Sequence, residues 1–156
     1  MPKYHLYLDT SVFGALFDTE APARVALTRT TLGALRGGAF ATYIGVPVLE
    51  EIGRAPRGLR SPLEKAVADL GPSVLEEDEV SARLTEAYLA AGVLGRKSRN
   101  DARHIALASV AGLDGLVSWN FRHMVNLEKK RRVHEVNLRY GFALIDIISP
   151  QEVPRE

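Results

Sequence analysis

Strands and helices alternate along this chain, and that order constrains the fold more than any other feature of the sequence. Short runs of aliphatic and aromatic residues, typical of β-strands, are followed by longer segments in which apolar residues recur at helical spacing. The predicted strands cover residues 4–8, 40–46, 115–120 and 142–149, with a short strand or extended link at 73–77. This order predicts an α/β fold with a mainly parallel central sheet flanked by helices.

The segments between the strands carry the end signals of helices. Residues 61–71 combine an N-cap Ser, a Pro at the first helical position and a closing Gly, and residues 100–112 run from an Asn cap to a Gly. Further helices are predicted to begin at residues 9–11 and at Pro47, and to cover residues 21–35, 78–94 and, in part, 125–141.

The composition excludes several classes of protein. A length of 156 residues fits one domain that can bury a core, and a net charge of +1 gives no general attraction to nucleic acids or membranes. The absence of cysteine excludes disulfides and thiolate metal sites. Because the first residues lack a signal-peptide core and no apolar run is long enough to span a bilayer, we expect a soluble cytoplasmic protein without membrane contact.

Acidic side chains occur beside the predicted strand ends. Asp9 follows the first strand, Glu50 and Glu51 lie one turn into the helix after the second, and Asp101 opens the helix before residues 115–120. Ligands of parallel α/β sheets gather outside the carboxyl ends of the strands. Helical phase places Glu51 nearer than Glu50 to the apolar side of its helix, so Glu51 is the one predicted to face a cleft.

Each acid alone also has a structural explanation. Asp9 could cap a helix, Asp101 could favour the helix dipole, and a glutamate pair is commonly a solvated face. Together, however, carboxylates near one sheet end repel one another and lose hydration, and a hard divalent cation such as Mg²⁺ or Mn²⁺ would offset both costs. The residues therefore indicate an acidic metal site, where an ion would activate water and neutralise charge on a phosphoryl oxygen.

Four stretches in order along nearly the whole chain carry a family resemblance. They read YLDTSVFGALFD, VPVLEEIGR, NDARHIALASVAGLDGLVSWNFRHMVN and, in the last strand, ISPQE. Together they resemble a PIN domain, and most of all the VapC-type toxins of prokaryotic toxin–antitoxin pairs. The resemblance implies one Rossmann-like PIN domain over residues 1–156 and cleavage of RNA with Mg²⁺ or Mn²⁺. It further implies a small cognate antitoxin that blocks the cleft, and a homodimer.

The resemblance also assigns residues by motif. The acids that would bind the metal are Asp9, Glu51 and Asp101. The Ser or Thr beside the first acid falls on Thr10 or Ser11, and a fourth acid present in many members is replaced by Asn120. Because asparagine offers a carbonyl oxygen but no charge, we expect a weaker second metal site, or a mechanism with one metal.

The stretch after residue 117 supplies further predicted contacts. The predicted substrate-binding residues are Ser11, Ser118, Arg122 and His123. Ser118 and Asn120 would hold a metal-bound water or a phosphate oxygen, and Arg122 and His123 would contact RNA backbone. A structural histidine is the alternative for His123, and Trp119 is expected in the core.

Two interpretations of function stay open. In the first, the chain is a metal-dependent endoribonuclease, the toxin of a type II toxin–antitoxin system, with Asp9, Glu51, Asp101 and Asn120 as catalytic residues. In the second, a PIN-like module binds RNA or protein with weak catalysis or none, because Asn120 has removed a metal site. Basic residues near the acids, at positions 54, 57, 60, 96, 97 and 99, favour an anionic substrate in either case. The basic run at 128–132 could track phosphates, although a solvated helix face is the commoner explanation.

Overall fold

Five parallel strands form one sheet in this computed structural model, which describes residues 1–95 and 98–155. The strands are β1 (Tyr4–Leu8), β2 (Phe40–Gly45), β3 (Ser73–Leu75), β4 (Gly115–Val117) and β5 (Asp146–Ile148). Their order is β3-β2-β1-β4-β5, and each neighbouring pair runs parallel. The predicted α/β fold with a mainly parallel central sheet is confirmed.

Helices connect the strands and cover the sheet. They are α1 (Thr10–Gly14), α2 (Pro22–Leu35), α3 (Val46–Gly53), α4 (Arg57–Leu70), α5 (Glu79–Ala90), α6 (Arg99–Val110) and α7 (Leu127–Tyr140), with short 3₁₀ turns at Ala15–Phe17 and Pro150–Glu152. Among the described residues, no helix has both the length and the apolar character that a membrane crossing requires.

Both faces of the sheet are buried, and β1 shows why. Successive side chains of a strand point to opposite faces. Tyr7 therefore joins a core with buried residues of α5, α6 and α7, whereas Leu6 and Leu8 join a second core with residues of α1, α2, α3 and α4. A strand covered on both faces carries a continuous apolar run, as YHLYL does.

Several element ends differ from the sequence expectation. The helix predicted at 61–71 begins at Arg57, so Ser61 is not its N-cap; Pro56 holds that position and Pro62 lies inside the helix. The Leu59 and Arg60 amides donate to the Pro56 carbonyl, and these hydrogen bonds form the added first turn. The helix predicted at 78–94 ends at Ala90, because Gly92 turns the chain with φ 69°.

The two later elements are also shifted. Helix α6 begins at Arg99 rather than after an Asn cap, and the side chain of Asn100 accepts a hydrogen bond from Arg103 instead. The last predicted strand, 142–149, narrows to Asp146–Ile148, the residues that pair with β4. Neither shift moves an acidic residue away from the sheet end.

The sheet order determines where a site can form. From β1, the chain passes to β2 on one side, whereas β4 and β5 lie on the other side. The strand order thus reverses between β1 and β4, and in open α/β sheets ligands bind in the crevice outside such a switch point.

Candidate active site

A pocket of about 370 Å³ opens at the carboxyl ends of β1 and β4. Its lining residues are Asp9, Thr10, Ser11, Gly14, Glu51, Asp101, His104 and Asn120. The structure therefore brings into one cavity the four residues that the sequence singled out as catalytic, although they come from distant parts of the chain.

Asp9 forms the floor of this pocket and is only 3% exposed. One carboxylate oxygen accepts hydrogen bonds from the Ser11 amide (3.1 Å) and the Ser11 hydroxyl (2.5 Å), and the other accepts from the Ser118 hydroxyl (2.6 Å). Burial raises the pKa of Asp9, and His104 and the two serines offset only part of that rise. Asp9 is thus the N-cap of α1 and also a carboxylate whose charge is costly.

The two predicted serine contacts both hold Asp9 in place. Ser118 is fully buried, and its hydroxyl also accepts from the Asn120 amide at 3.0 Å. The Ser11 hydroxyl accepts from the Trp119 amide at 2.9 Å, which joins the start of α1 to the end of β4. In this structure these hydroxyls are engaged within the protein, and their contact with substrate stays a prediction.

The glutamate pair divides as helical phase predicts. Glu51 faces the pocket, where one oxygen, Oε1, accepts from the Thr10 hydroxyl (2.9 Å) and from His104 Nε2 (2.7 Å). Burial alone would raise the pKa of Glu51, but these hydrogen bonds outweigh it and lower the pKa. Glu50 turns away from the pocket to pair with Arg103 at 3.0 Å.

Asp101 carries the least compensated charge in the pocket. Burial, with the nearby negative charge of Asp9 next in importance, raises its pKa to about 6. The nearest donor, the Asn120 side-chain amide, lies 3.5 Å from Asp101 Oδ2. The Asn120 carbonyl oxygen instead accepts from the His123 amide at 3.0 Å, so Asn120 presents its amino group to the acid.

His104 is a pocket residue that the sequence reasoning missed. It lies on α6, three residues after Asp101 and therefore on the same face of the helix, and it is 1% exposed. Its Nε2 contacts Glu51, and its Nδ1 lies 2.6 Å from the hydroxyl of Tyr7. The spacing from Asp101 was the signal that could have identified it.

Arg103 holds the outer wall of the pocket together. Its guanidinium pairs with both oxygens of Glu50 on α3 (3.0 and 3.3 Å), with both oxygens of Glu77 before α5, and with Asn100 Oδ1 at 2.9 Å. These hydrogen bonds raise the pKa of Arg103, so the residue is a fixed positive charge. The cluster fixes α3, which carries Glu51, against α6, which carries Asp101.

Two residues that were predicted to bind substrate, Arg122 and His123, are not among the residues that line the pocket. Arg122 is exposed and His123 half-buried, and the positive charge of His123 lowers the pKa of Asp101, which shows that the two lie near each other. Trp119 is buried, and its indole N–H donates to the Thr28 hydroxyl at 2.9 Å. Trp119 is therefore a core residue, as the sequence predicts.

The basic segments differ in how free their charges are. The residues after α3 that are exposed are Arg54, Arg57 and Arg60, and Arg54 pairs with Glu50 at 3.7 Å. Arg99 pairs with Glu86 at 2.5 Å, and on α7 Arg132 pairs with Glu128 at 3.0 Å. Two predicted basic residues, Arg96 and Lys97, lie outside the described residues.

The donor set of the pocket fits a hard divalent cation better than any other metal. It offers carboxylate and hydroxyl oxygens, which Mg²⁺ and Mn²⁺ prefer, and the raised pKa of Asp101 reflects negative charge that a cation would neutralise. Within residues 1–95 and 98–155, however, no group of three or more His, Cys, Asp or Glu side chains is spaced to hold a metal ion. An ion here would therefore take some of its contacts through water, as Mg²⁺ usually does.

Comparison with known proteins supports the fold. No protein-family model matches the sequence, and no curated protein matches it. Among solved structures, the chain is similar to one chain of the crystal structure of VapBC2 from Rickettsia felis bound to a DNA fragment from their promoter, with 11% sequence identity and a TM-score of 0.56. The match covers 93% of this chain and 98% of that one. At this identity the likeness shows the fold, and it agrees with the PIN-like architecture that the motifs predict.

Proposed function

We propose that this chain is a metal-dependent endoribonuclease and the toxin component of a type II toxin–antitoxin system. The observation that carries the proposal is the meeting of Asp9, Glu51 and Asp101 in one pocket at the switch point of the sheet. These acids come from three separate segments of the chain, and burial with mutual repulsion raises the pKa of Asp101 to about 6. A fold that gathers repelling carboxylates in a cleft is better explained by a cationic ligand than by stability.

Each pocket residue has a role in this proposal. The carboxylates of Asp9, Glu51 and Asp101 would hold Mg²⁺ or Mn²⁺, in part through water. The metal, when bound, would activate water for attack on a phosphodiester and neutralise the charge that develops. Asn120 presents its amino group to the cleft beside Asp101, where it would donate to a phosphate oxygen.

The surroundings of the pocket suit an RNA strand. Arg122 and His123 follow Asn120 closely in the chain, and Arg54, Arg57 and Arg60 follow the start of the helix that carries Glu51. Lysine and arginine side chains at such positions would pair with backbone phosphates whatever the base sequence. The overall charge of +1 therefore does not exclude an anionic substrate.

Partners follow from the structural likeness. VapBC2 forms a complex that binds promoter DNA. By analogy, we infer that this chain binds a cognate antitoxin protein that covers the pocket, and that it forms a homodimer. Co-expression with the product of a neighbouring small gene, followed by size-exclusion chromatography with light scattering, tests both inferences.

The nuclease proposal is tested with the purified protein and a structured RNA pool. Reactions contain Mn²⁺, Mg²⁺ or EDTA, and the Asp101→Asn variant runs beside the wild type. Cutting that requires metal and is lost in the variant supports the proposal and places Asp101 in the site. A folded protein, free of antitoxin, that cuts in none of these conditions contradicts it.

One observation favours a second candidate, a PIN-like module that binds RNA or protein without turnover. No three acidic or histidine side chains of the described chain are spaced to hold an ion directly, and the fourth acid of the family pattern is Asn120. The Asn120→Asp variant separates the candidates. If the wild type does not cut RNA and Asn120→Asp does, the chain is a nuclease that asparagine has weakened. If Asn120→Asp binds Mn²⁺ more tightly and still does not cut RNA, the binding module is favoured.

A further inference from the structure

A chain of hydrogen bonds runs from one of the two cores to the pocket. It begins at the Tyr7 hydroxyl in the core formed with α5, α6 and α7, passes through His104 on α6, and reaches Glu51 on α3. Tyr7 is 0% exposed and His104 1% exposed, and buried polar groups of this kind are normally hydrogen-bonded. Neither residue belongs to the set that the nuclease proposal requires.

The positions of the protons follow from what each atom can do. A carboxylate oxygen only accepts, so the 2.7 Å contact with Glu51 requires a proton on His104 Nε2. In the neutral imidazole that carries this proton, Nδ1 is bare and accepts. The Tyr7 hydroxyl, 2.6 Å away, is its donor. Tyr7 thereby selects the one neutral tautomer of His104 that can donate to Glu51.

The consequence falls on the orientation of Glu51. The His104 N–H and the Thr10 hydroxyl both donate to the same oxygen, Oε1, at 2.7 and 2.9 Å. With that oxygen held from two sides, the carboxylate has one rotational setting, and its second oxygen is left for the pocket, where the side chain is 31% exposed. The opposite tautomer would place a nitrogen lone pair against the carboxylate and turn it away.

The backbone around Tyr7 is shaped to keep its hydroxyl in place. Gly45 ends β2 just before α3, the helix that carries Glu51. A Cβ at Gly45 would come within 2.5 Å of the Tyr7 oxygen and would also collide with Leu107, so only glycine leaves room for the hydroxyl. The same junction thus positions both ends of the hydrogen-bond chain.

We propose that His104 is a positioning residue for Glu51, with its tautomer set by Tyr7, and that the pair fixes the pocket-facing carboxylate before any ligand arrives. The role of this arrangement in catalysis rests on the nuclease proposal. The hydrogen bonds and the orientation of Glu51 are independent of that proposal. Loss of an outer partner of a metal-binding side chain typically weakens metal binding or activity about 10- to 100-fold.

The test compares two tyrosines. Tyr7→Phe removes the hydroxyl that faces His104, and Tyr88→Phe is the matched control, because Tyr88 is also 0% exposed and lies in the same core but bonds to Ser109 and Asn137. His104→Leu removes both contacts, whereas in His104→Gln the side-chain amide can still donate to Glu51. Mn²⁺ affinity is measured by calorimetry, and the His104 tautomer by ¹⁵N NMR of the metal-free protein.

The expected results distinguish the hydrogen-bond chain from Tyr7 to Glu51 from a general loss of packing. In the wild type, His104 is protonated at Nε2 and bare at Nδ1. Tyr7→Phe weakens Mn²⁺ binding about 10-fold and His104→Leu about 100-fold, His104→Gln recovers most of the loss, and Tyr88→Phe binds as the wild type does.

Two results would overturn the proposal. One is a Tyr7→Phe protein that binds Mn²⁺ as tightly as Tyr88→Phe does. The other is an NMR spectrum with the His104 proton on Nδ1, or with protons on both nitrogens. If the wild type fails to cut RNA while the tautomer and the order of Mn²⁺ affinities are as expected, the nuclease proposal fails and the positioning role stands.

Discussion

Two buried tyrosines begin two polar networks in the same core, and the networks end differently. The hydroxyl of Tyr88 contacts Asn137 (2.5 Å) and Ser109 (3.2 Å), and the Asn137 amide returns to Ser109 and to the Ala143 carbonyl. Every member is neutral and bonded within the core. The network of Tyr7 instead leads through His104 to the charged pocket.

The difference separates stability from function. A closed neutral network satisfies its own donors and acceptors, so it contributes to the free energy of unfolding and offers nothing to a ligand. The open network ends at a pocket of carboxylates, and burial, with repulsion among the acids as a smaller cause, raises the pKa of Asp9 and of Asp101. Substitutions in the closed network should therefore reduce stability and spare activity, whereas substitutions that remove a charge from the open network should reduce activity and spare or increase stability.

The largest effect is expected at Asp9. Asp9→Asn keeps the shape of the side chain and removes the charge, and we expect RNA cleavage to fall about 1000-fold or more, since a bound metal contributes several kcal/mol to transition-state stabilisation. Single-turnover cleavage of a labelled RNA with Mn²⁺ measures the change. A variant within tenfold of the wild-type rate would show that Asp9 is only the helix cap that its hydrogen bonds also make it.

The closed network should give the largest loss of stability. Asn137→Ala removes the acceptor of the Tyr88 hydroxyl, which keeps only its 3.2 Å contact with Ser109, and removes the donor to the Ala143 carbonyl, and we expect the free energy of unfolding to fall by about 3 kcal/mol. Urea unfolding should show a lower midpoint with an unchanged slope. Cleavage per folded molecule should stay at the wild-type level. A loss of activity larger than the loss of folded protein would mean that the closed network also supports catalysis.

Replacement of Asp101 by asparagine should abolish activity and make the metal-free protein more stable. The folded pKa of about 6 lies above the ordinary value of 3.8. The protonated acid therefore favours folding below about pH 4, and this contribution is lost as the pH rises through about 6. Asp101→Asn stays neutral, so at pH 8 without metal it should be more stable than the wild type by about 2 kcal/mol while being inactive.

The measurement for Asp101 is unfolding in urea between pH 4 and pH 8 with EDTA present. The wild type should lose stability across this range relative to Asp101→Asn, and saturating Mn²⁺ should restore the wild type only. If the free energy of unfolding changed with pH in the same way for the two proteins, ionisation of Asp101 would not destabilise the fold.

These contrasts show which part of the molecule the sequence predicted. The positions of Asp9 and Glu51 follow from local rules: one comes directly after a strand, and the other lies on a helix whose phase is readable. The alternation of strands and helices then brings both to the same sheet end, because parallel strands share that edge.

Local sequence rules could not predict the hydrogen-bond partners of the acids. The contact of His104 with Glu51 joins residues 53 apart, and the contact with Tyr7 joins residues 97 apart. Both depend on how closely α6 packs on the sheet, which no local pattern encodes. The start of α4 at Arg57 was missed for a different reason, since the helix begins after Pro56 without a side-chain cap and the N-cap signal at Ser61 is not used.

The smallest predicted effect adds charge to the open network. Asn120→Asp would replace the amino group that faces Asp101 Oδ2 at 3.5 Å with a carboxylate oxygen. Repulsion should then raise the pKa of Asp101 further and reduce the stability of the metal-free protein, while Mn²⁺ affinity rises about tenfold, or about 1.4 kcal/mol. Calorimetric titration measures the affinity, with Asn137→Asp as a control that places a new charge in the closed network, where it should destabilise the fold without tightening metal binding. If Asn120→Asp left the affinity unchanged, the ion would lie on the Asp9 and Glu51 side of the pocket, out of reach of position 120.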